Sequence, residues 1–169
     1  GLRANVMDDD IARAMTDAGF GSVGMGIESF YDPTLKAMSK GQKAEQLKAG
    51  LRTLRKYNLH FNSTQLLFGY ETDGFESMMA NVEALRELGF RTGGYSIPFP
   101  YPGTYLYDKA VELDLIGDEE EWLLELADRD ISDRVVNMSG MPDDYLLALV
   151  DFGHRMFERT TRTENKISP

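Results

Sequence analysis

The 169-residue chain carries 18 Lys+Arg against 28 Asp+Glu, a formal charge of −10, and contains no cysteine. Without cysteine it has no disulfide framework, no thiol nucleophile, no Cys-ligated zinc site and no thiolates for an iron–sulfur cluster. Its acidic balance argues against binding a phosphate backbone, and no apolar run approaches the ~18 residues of a membrane-spanning helix.

The first part of the chain alternates helical and β-like runs. Asp8 or Asp9 can cap a helix running to about Asp17, with Ile11, Met15 and Ala18 at helical spacing and Gly19 just past its end. Residues 22–27 read as a short strand, followed by a loop bearing Pro33. Over 43–57, Ala44, Leu47, Leu51, Leu54 and Tyr57 step by three or four along one helix face. Residues 59–68 form the next expected strand, ending at Gly69, with Thr72 or Asp73 as the N-cap of the helix that follows. Phe75, Met78, Val82, Leu85 and Leu88 mark that helix, which Gly89 stops. A third strand over 95–99 is cut off by Pro98, Pro100 and Pro102. Beyond Gly103, Thr104 can cap a helix over 105–115, another spans 119–126, and Pro142 opens a run to about Thr160, with frayed residues after it.

Helices alternating with strands over short connections are the pattern of a parallel sheet covered by helices, because parallel neighbours need a crossover. Three strands are visible, with the end of a fourth at residues 2–6. The expected fold is therefore α/β: half of a TIM-like parallel β/α barrel, three to four strands, with an acidic helical extension at its carboxyl end. Residues 1–103 hold 11 basic and 12 acidic residues, a balance of −1, whereas 104–169 hold 7 and 16, a balance of −9. The expected boundary lies between them, at Tyr101-Pro102-Gly103-Thr104. The N-terminus lacks a signal-peptide profile, so the expected location is cytoplasmic. It opens on Gly1-Leu2-Arg3 rather than Met, which reads as an excised piece of a longer protein or a tagged chain after cleavage.

In parallel α/β architectures ligands gather at the carboxyl ends of the strands. The first strand ends Gly24-Met25-Gly26-Ile27-Glu28-Ser29, where glycines permit close approach and Glu28 can accept bonds from sugar hydroxyls, cap the following turn, or pair with Lys36 or Lys40. In the second, Gln65 shares a pleat face with Leu67, and a buried Gln must find partners in a ligand or in neighbouring backbone. The third runs into Ile97-Pro98-Phe99-Pro100, a stiff exit that can present carbonyls and flat apolar faces to a heterocycle or serve as a rigid connector. His60 and His154 lack ligand-like spacing, and Gly19-x-Gly21-x-x-Gly24 enters a strand instead of opening a helix, so neither a two-His metal site nor a dinucleotide fingerprint is expected.

Taken together, Arg3-x-Asn5, Ala18-Gly19-Phe20, Gly26-Ile27-Glu28-Ser29, Leu35-x-x-Met38-x-Lys40-Gly41, Phe68-Gly69 with Glu71-Thr72, and Pro100-Tyr101-Pro102-Gly103-Thr104 resemble the carboxy-terminal half of the radical S-adenosylmethionine (SAM) enzymes. The resemblance spans roughly residues 1–117 and is closest to the branch that often carries an upstream cobalamin-binding domain. It implies a partial barrel holding SAM across its carboxyl-end rim, and a [4Fe–4S] cluster whose cysteine ligands lie upstream. That cluster reduces SAM to a 5′-deoxyadenosyl radical for methylation, cyclisation or thiolation. By the same resemblance Glu28, with Ser29 beside it, meets the SAM ribose and Lys40 the methionine carboxylate. Gln65, Leu67 and Gly69 flank adenine, and Ile97 and Pro98 lie near its edge. The chain departs from the family in having no cysteine motif and in a shortened Gly69-Tyr70-Glu71-Thr72 segment. The expected partners are SAM, a small-molecule substrate, the upstream part of the same protein and, through the open barrel edge, a second copy. Two competing readings are a non-catalytic nucleoside-binding module and a small half-barrel enzyme using Glu28 and Lys40.

Overall fold

A computed structural model describes residues 2–62, 66–89, 94–128 and 135–164. After a 3-10 turn at Ala4–Val6, the elements in chain order are α1 (Asp9–Asp17), β1 (Ser22–Gly24), α2 (Asp32–Ala37), α3 (Ala44–Lys56), β2 (His60–Asn62), β3 (Leu66–Leu67), α4 (Phe75–Leu88), β4 (Tyr95–Ser96), α5 (Tyr105–Glu112), α6 (Glu119–Asp128) and α7 (Asp143–Glu164). The fold is mixed α/β, with more helix than strand. β1 pairs in parallel with β2, Val23 opposite Phe61, and β3 pairs in parallel with β4, Leu66 opposite Tyr95. Single parallel bridges extend these two short sheets, joining Leu2 to Met25 and Glu28 to Leu66.

Local chemistry accounts for most helix boundaries. The Asp8 carboxylate accepts from the Ile11 N–H and caps α1, and the Thr104 hydroxyl accepts from the Tyr107 N–H and caps α5. Gly89 ends α4 at φ +62, a left-handed position that glycine adopts without steric cost. Three expectations change. The loop expected around Pro33 is the helix α2, with Asp32-Pro33 in its first turn, where the missing proline N–H is no loss. The N-cap of α4 is Gly74, whose N–H donates to the Ser77 hydroxyl, and not Thr72 or Asp73. Helix α7 starts at Asp143, one residue past Pro142, and continues to Glu164.

The strand expected over 59–68 is instead two, β2 and β3, which pair in different sheets, with residues 63–65 outside the described residues, and β1 and β4 are shorter than their apolar runs. β1 ends before the turn at Glu28, and β4 ends at Ser96, two residues before Pro98, which has no N–H to donate. The main core gathers Val23, Met25, Ile27, Leu47, Leu51 and Leu54 under α3, and Met78, Val82 and Leu85 under α4, with Leu146 and Leu149 of α7 joining it. A second cluster forms around Trp122, with Tyr107, Ala110, Ile116, Val136 and Met138. The Phe99 ring stacks on Trp122, centroids 5.0 Å apart, so the proline-rich exit from β4 leads directly into this second cluster. Among the described residues no helix is long and apolar enough to cross a membrane.

Candidate functional site

Glu28 stands at the exit of the first strand with φ +66, in the left-handed region. The Ser29 N–H donates to the Ile27 carbonyl at 2.8 Å, so these three residues close a γ-turn with positive φ at its centre. Such a conformation costs about 1–3 kcal/mol and persists only where the surroundings fix it. Here they do so on both sides. The Glu28 carbonyl accepts from the Leu67 N–H of β3 at 2.7 Å. On the far side the Asn81 Oδ1 of α4 accepts from the Phe30 N–H at 2.6 Å, while the Ser29 hydroxyl, fully buried, accepts from the Tyr31 N–H at 3.1 Å.

This turn directs the Glu28 side chain back over Gly26. The Lys40 Nζ then donates to Glu28 Oε1 at 3.0 Å, forming an ion pair whose members are 31% and 21% exposed. Lys40 itself comes from the turn after α2, where its N–H donates to the Leu35 carbonyl at 3.1 Å and its carbonyl accepts from the Arg3 guanidinium. Beside the pair lies a cavity of about 420 Å³ lined by Leu2, Arg3, Gly26, Ser39, Lys40 and Gln42. A second cavity, of about 660 Å³, opens between α2 and the start of α3 and shares Ser39 and Gln42 with the first. Both volumes fall within the range of small-molecule sites.

The second strand exit is built around a buried carboxylate. Asp73 Oδ2 accepts from the N–H groups of Gly69 at 2.8 Å and Tyr70 at 3.0 Å, and Oδ1 accepts from the Thr34 hydroxyl at 2.6 Å. Burial raises its pKa above the usual carboxylate value, and these donors work in the opposite direction. Tyr70, folded inward at the same turn, has its phenol pushed up to about 12, first by burial and then by the nearby negative charges of Glu28, Asp73 and Glu71. It therefore stays a neutral phenol at physiological pH.

Of the residues singled out from sequence, Glu28 and Lys40 are in direct contact, the pairing that stood as an alternative to a sugar contact at Glu28. Leu67 is half-buried and tied to Glu28 through its N–H. Gly69, at φ +130, lies against the third strand exit, where a β-carbon on it would come within 3.4 Å of Ile97 and 3.5 Å of Pro98. Leu146 of α7 closes the same junction, 3.8 Å from that β-carbon, and Gly69 and Pro98 are buried in it with Ile97 half-buried. Ser29 faces Asn81 inside the protein, and Gln65 lies outside the described residues. Sequence reading did not single out Arg3 for its hold on Lys40, or Asn81 for its hold on Phe30. The available signal was a pair of polar residues, Ser77 and Asn81, spaced i, i+4 on the buried face of α4. Among the described residues no group of three or more His, Asp and Glu side chains is arranged to hold a metal.

No protein-family model matches the chain. It is 28% identical over 114 residues to an uncharacterized methyltransferase of Pyrococcus horikoshii, covering 68% of this chain and 25% of that protein. It is 30% identical over 122 residues to the bacteriochlorophyllide d C-8(2)-methyltransferase of Chlorobaculum tepidum, covering 70% of this chain and 27% of that protein. Over 84 residues it is 30% identical to an oxygen-independent coproporphyrinogen III oxidase of Cereibacter sphaeroides, covering 50% of this chain and 19% of that protein. The chain thus spans between about a fifth and about a quarter of these relatives, all named as enzymes.

Proposed function

We propose that this chain is the carboxy-terminal half of a radical SAM barrel and that its strand exits hold SAM. The observation that carries the reading is the Glu28–Lys40 pair, set at a strand exit beside the cavity of about 420 Å³. The likeness to two methyltransferases and an oxygen-independent oxidase supports it, as does the parallel pairing of successive strands.

The donor set suits the ligand. A carboxylate has acceptor capacity to spare beyond one ammonium, so Glu28 can accept hydrogen bonds from ribose hydroxyls while still paired. Lys40 carries three N–H donors, of which one reaches Glu28, leaving others for the carboxylate of the methionine moiety. Ile97, half-buried beside Gly69 and Pro98, and the half-buried Leu67 on the adjoining strand supply apolar contacts for adenine. A [4Fe–4S] cluster held by cysteines elsewhere in the protein, with cobalamin on an upstream domain as the branch often has, supplies the electron for radical methylation, cyclisation or thiolation.

Calorimetric titration of SAM into the chain tests the reading. Binding that Glu28→Ala abolishes is the expected result, and wild-type affinity in that variant refutes the ribose role. Adenosine binding as tight as SAM binding favours the nucleoside-binding module instead, because Lys40 then contributes nothing. The coding sequence upstream of Gly1 gives a second check: Cys-x-x-x-Cys-x-x-Cys within ~150 residues is expected, by the spacing of the cysteine motif to the strands that follow it.

A further inference from the structure

We infer that Asn81, on α4 and remote in sequence from the first strand, is the positioning residue that holds Glu28 in its ligand-facing conformation. This inference rests on the SAM reading of Glu28 for its functional consequence, but not for its geometry.

Glu28 occupies a backbone conformation that a non-glycine residue adopts only under constraint, at the centre of a γ-turn with φ +66. A strand that ended without that turn would carry residue 28 on in extended conformation, and its carboxylate would no longer fall beside Gly26 and Lys40. The pairing with β3, in which the Glu28 carbonyl accepts from the Leu67 N–H, also forms in an ordinary parallel ladder, so it does not select the turn. Among the described residues, the backbone contacts that favour it are those after residue 28. Asn81 Oδ1 receives the Phe30 N–H at 2.6 Å and, more weakly, the Ser29 hydroxyl at 3.4 Å. The same Ser29 oxygen accepts from the Tyr31 N–H, so one buried amide oxygen organises three consecutive residues.

Two further observations separate this role from ordinary packing. Asn81 is 0% exposed, yet among the described residues its Nδ2 finds no hydrogen-bond partner. A residue serving the core alone is better replaced by an apolar one of the same shape, since an unmatched buried donor is unfavourable. In addition, Ser77, one turn earlier on the same face, donates to the Gly74 carbonyl and accepts from the Gly74 N–H, next to the Asp73 turn at the second strand exit. One face of α4 therefore sets both exits, and Asn81 is the part of it aimed at Glu28.

The test combines NMR of the 169-residue chain with SAM calorimetry on wild type, Asn81→Leu and Asn81→Asp. In wild type, Glu28 should show the strong intraresidue amide-to-Hα contact that marks positive φ, and the Phe30 amide should be protected from hydrogen exchange. Asn81→Leu keeps the volume but removes the acceptor. It should lose both signatures and weaken SAM binding by about tenfold or more, the scale of loss that small misplacements of a site group produce. Asn81→Asp keeps an acceptor oxygen in the same place and should restore both. The proposal fails if wild type lacks either signature, a result that needs no variant to fold. It fails equally if Asn81→Leu keeps the Glu28 signature, or if Asn81→Asp folds yet binds as poorly as Asn81→Leu. If Asn81→Leu loses both signatures while wild type binds no SAM, Asn81 is still the positioning residue and the SAM reading is what falls.

Discussion

The Glu28 Oε1 lies 2.8 Å from where a β-carbon on Gly26 would stand. Gly26 is thus the floor beneath the carboxylate, and a methyl group there must push Glu28 off Lys40 or tilt the turn. Gly24, two residues earlier, has nothing within 4 Å of the same point. Gly26→Ala should therefore lose SAM binding by about tenfold or more while Gly24→Ala keeps it, since placement of the carboxylate is what differs. Titration calorimetry on the two variants checks this, and equal affinities would show that the ligand does not depend on where Glu28 points.

Lys40 gives a second prediction, in which stability and binding separate. Its ion pair with Glu28 is partly solvated, so Lys40→Met should cost only about 0.2–1 kcal/mol in urea unfolding. The effect on SAM should be larger, because the ammonium would meet both Glu28 and an anionic ligand group. Wild-type affinity should also fall as salt is raised from 50 to 500 mM, a change on the scale of about a few-fold, and that salt dependence should shrink in the variant. Affinity in Lys40→Met matching wild type at both salt concentrations would remove Lys40 from the site.

These sites differ in how far sequence alone reveals them. Helix ends set by nearby residues were legible: Asp8 before α1, Thr104 before α5 and Gly89 after α4 each act within a turn of their own position. Short α2 was not, because six residues give little periodicity and Asp32-Pro33 reads equally as a turn. Asp73 has the composition and place of a helix cap, but its carboxylate turns back to the N–H groups of Gly69 and Tyr70, a partnership set by how the loop before α4 folds and not by local sequence. Glu28 and Lys40 could be nominated because they sit at a strand exit and in a turn. Asn81 could not, since its meaning depends on a backbone N–H 51 residues away in the chain.

Asp73 predicts an unusual pH dependence. Burial raises its carboxyl above the reference value of 3.8, so the folded state holds this proton more tightly than the unfolded state does. Where the folded pKa is the higher, the folded state binds more protons between the two values, and stability falls as pH rises through that window. The contribution of Asp73 is thus most favourable below 3.8 and is lost above the raised folded value. Asp73→Asn can keep an oxygen toward Gly69 and Tyr70 and present its amide to Thr34, whose hydroxyl can also accept. In urea unfolding, wild type should gain stability relative to Asp73→Asn as pH is lowered from 7 to 4. A gap that moves the other way would mean that the hydrogen bonds from Thr34, Gly69, Tyr70 and Ser77 outweigh burial.

Gly50 makes the strongest claim on stability. It lies inside α3, where glycine is normally unfavourable by up to about 1 kcal/mol relative to alanine, so helix propensity alone predicts that Gly50→Ala stabilises the protein. Packing predicts the reverse. A β-carbon at Gly50 would overlap the carbonyl oxygen of Ala4 and crowd its carbonyl carbon, and both residues are buried. The obstacle is backbone, which cannot rotate away as a side chain would. Either α3 lifts from the core or the turn at Ala4–Val6 shifts, taking with it Arg3 and its hold on the Lys40 carbonyl. Gly50→Ala should therefore lower stability by about 1–3 kcal/mol or more, the scale of an overpacked core. It should weaken SAM binding as well, through Arg3 and Lys40. Denaturant unfolding decides the sign: a stabilised Gly50→Ala protein would show that α3 does not rest on the Ala4 backbone.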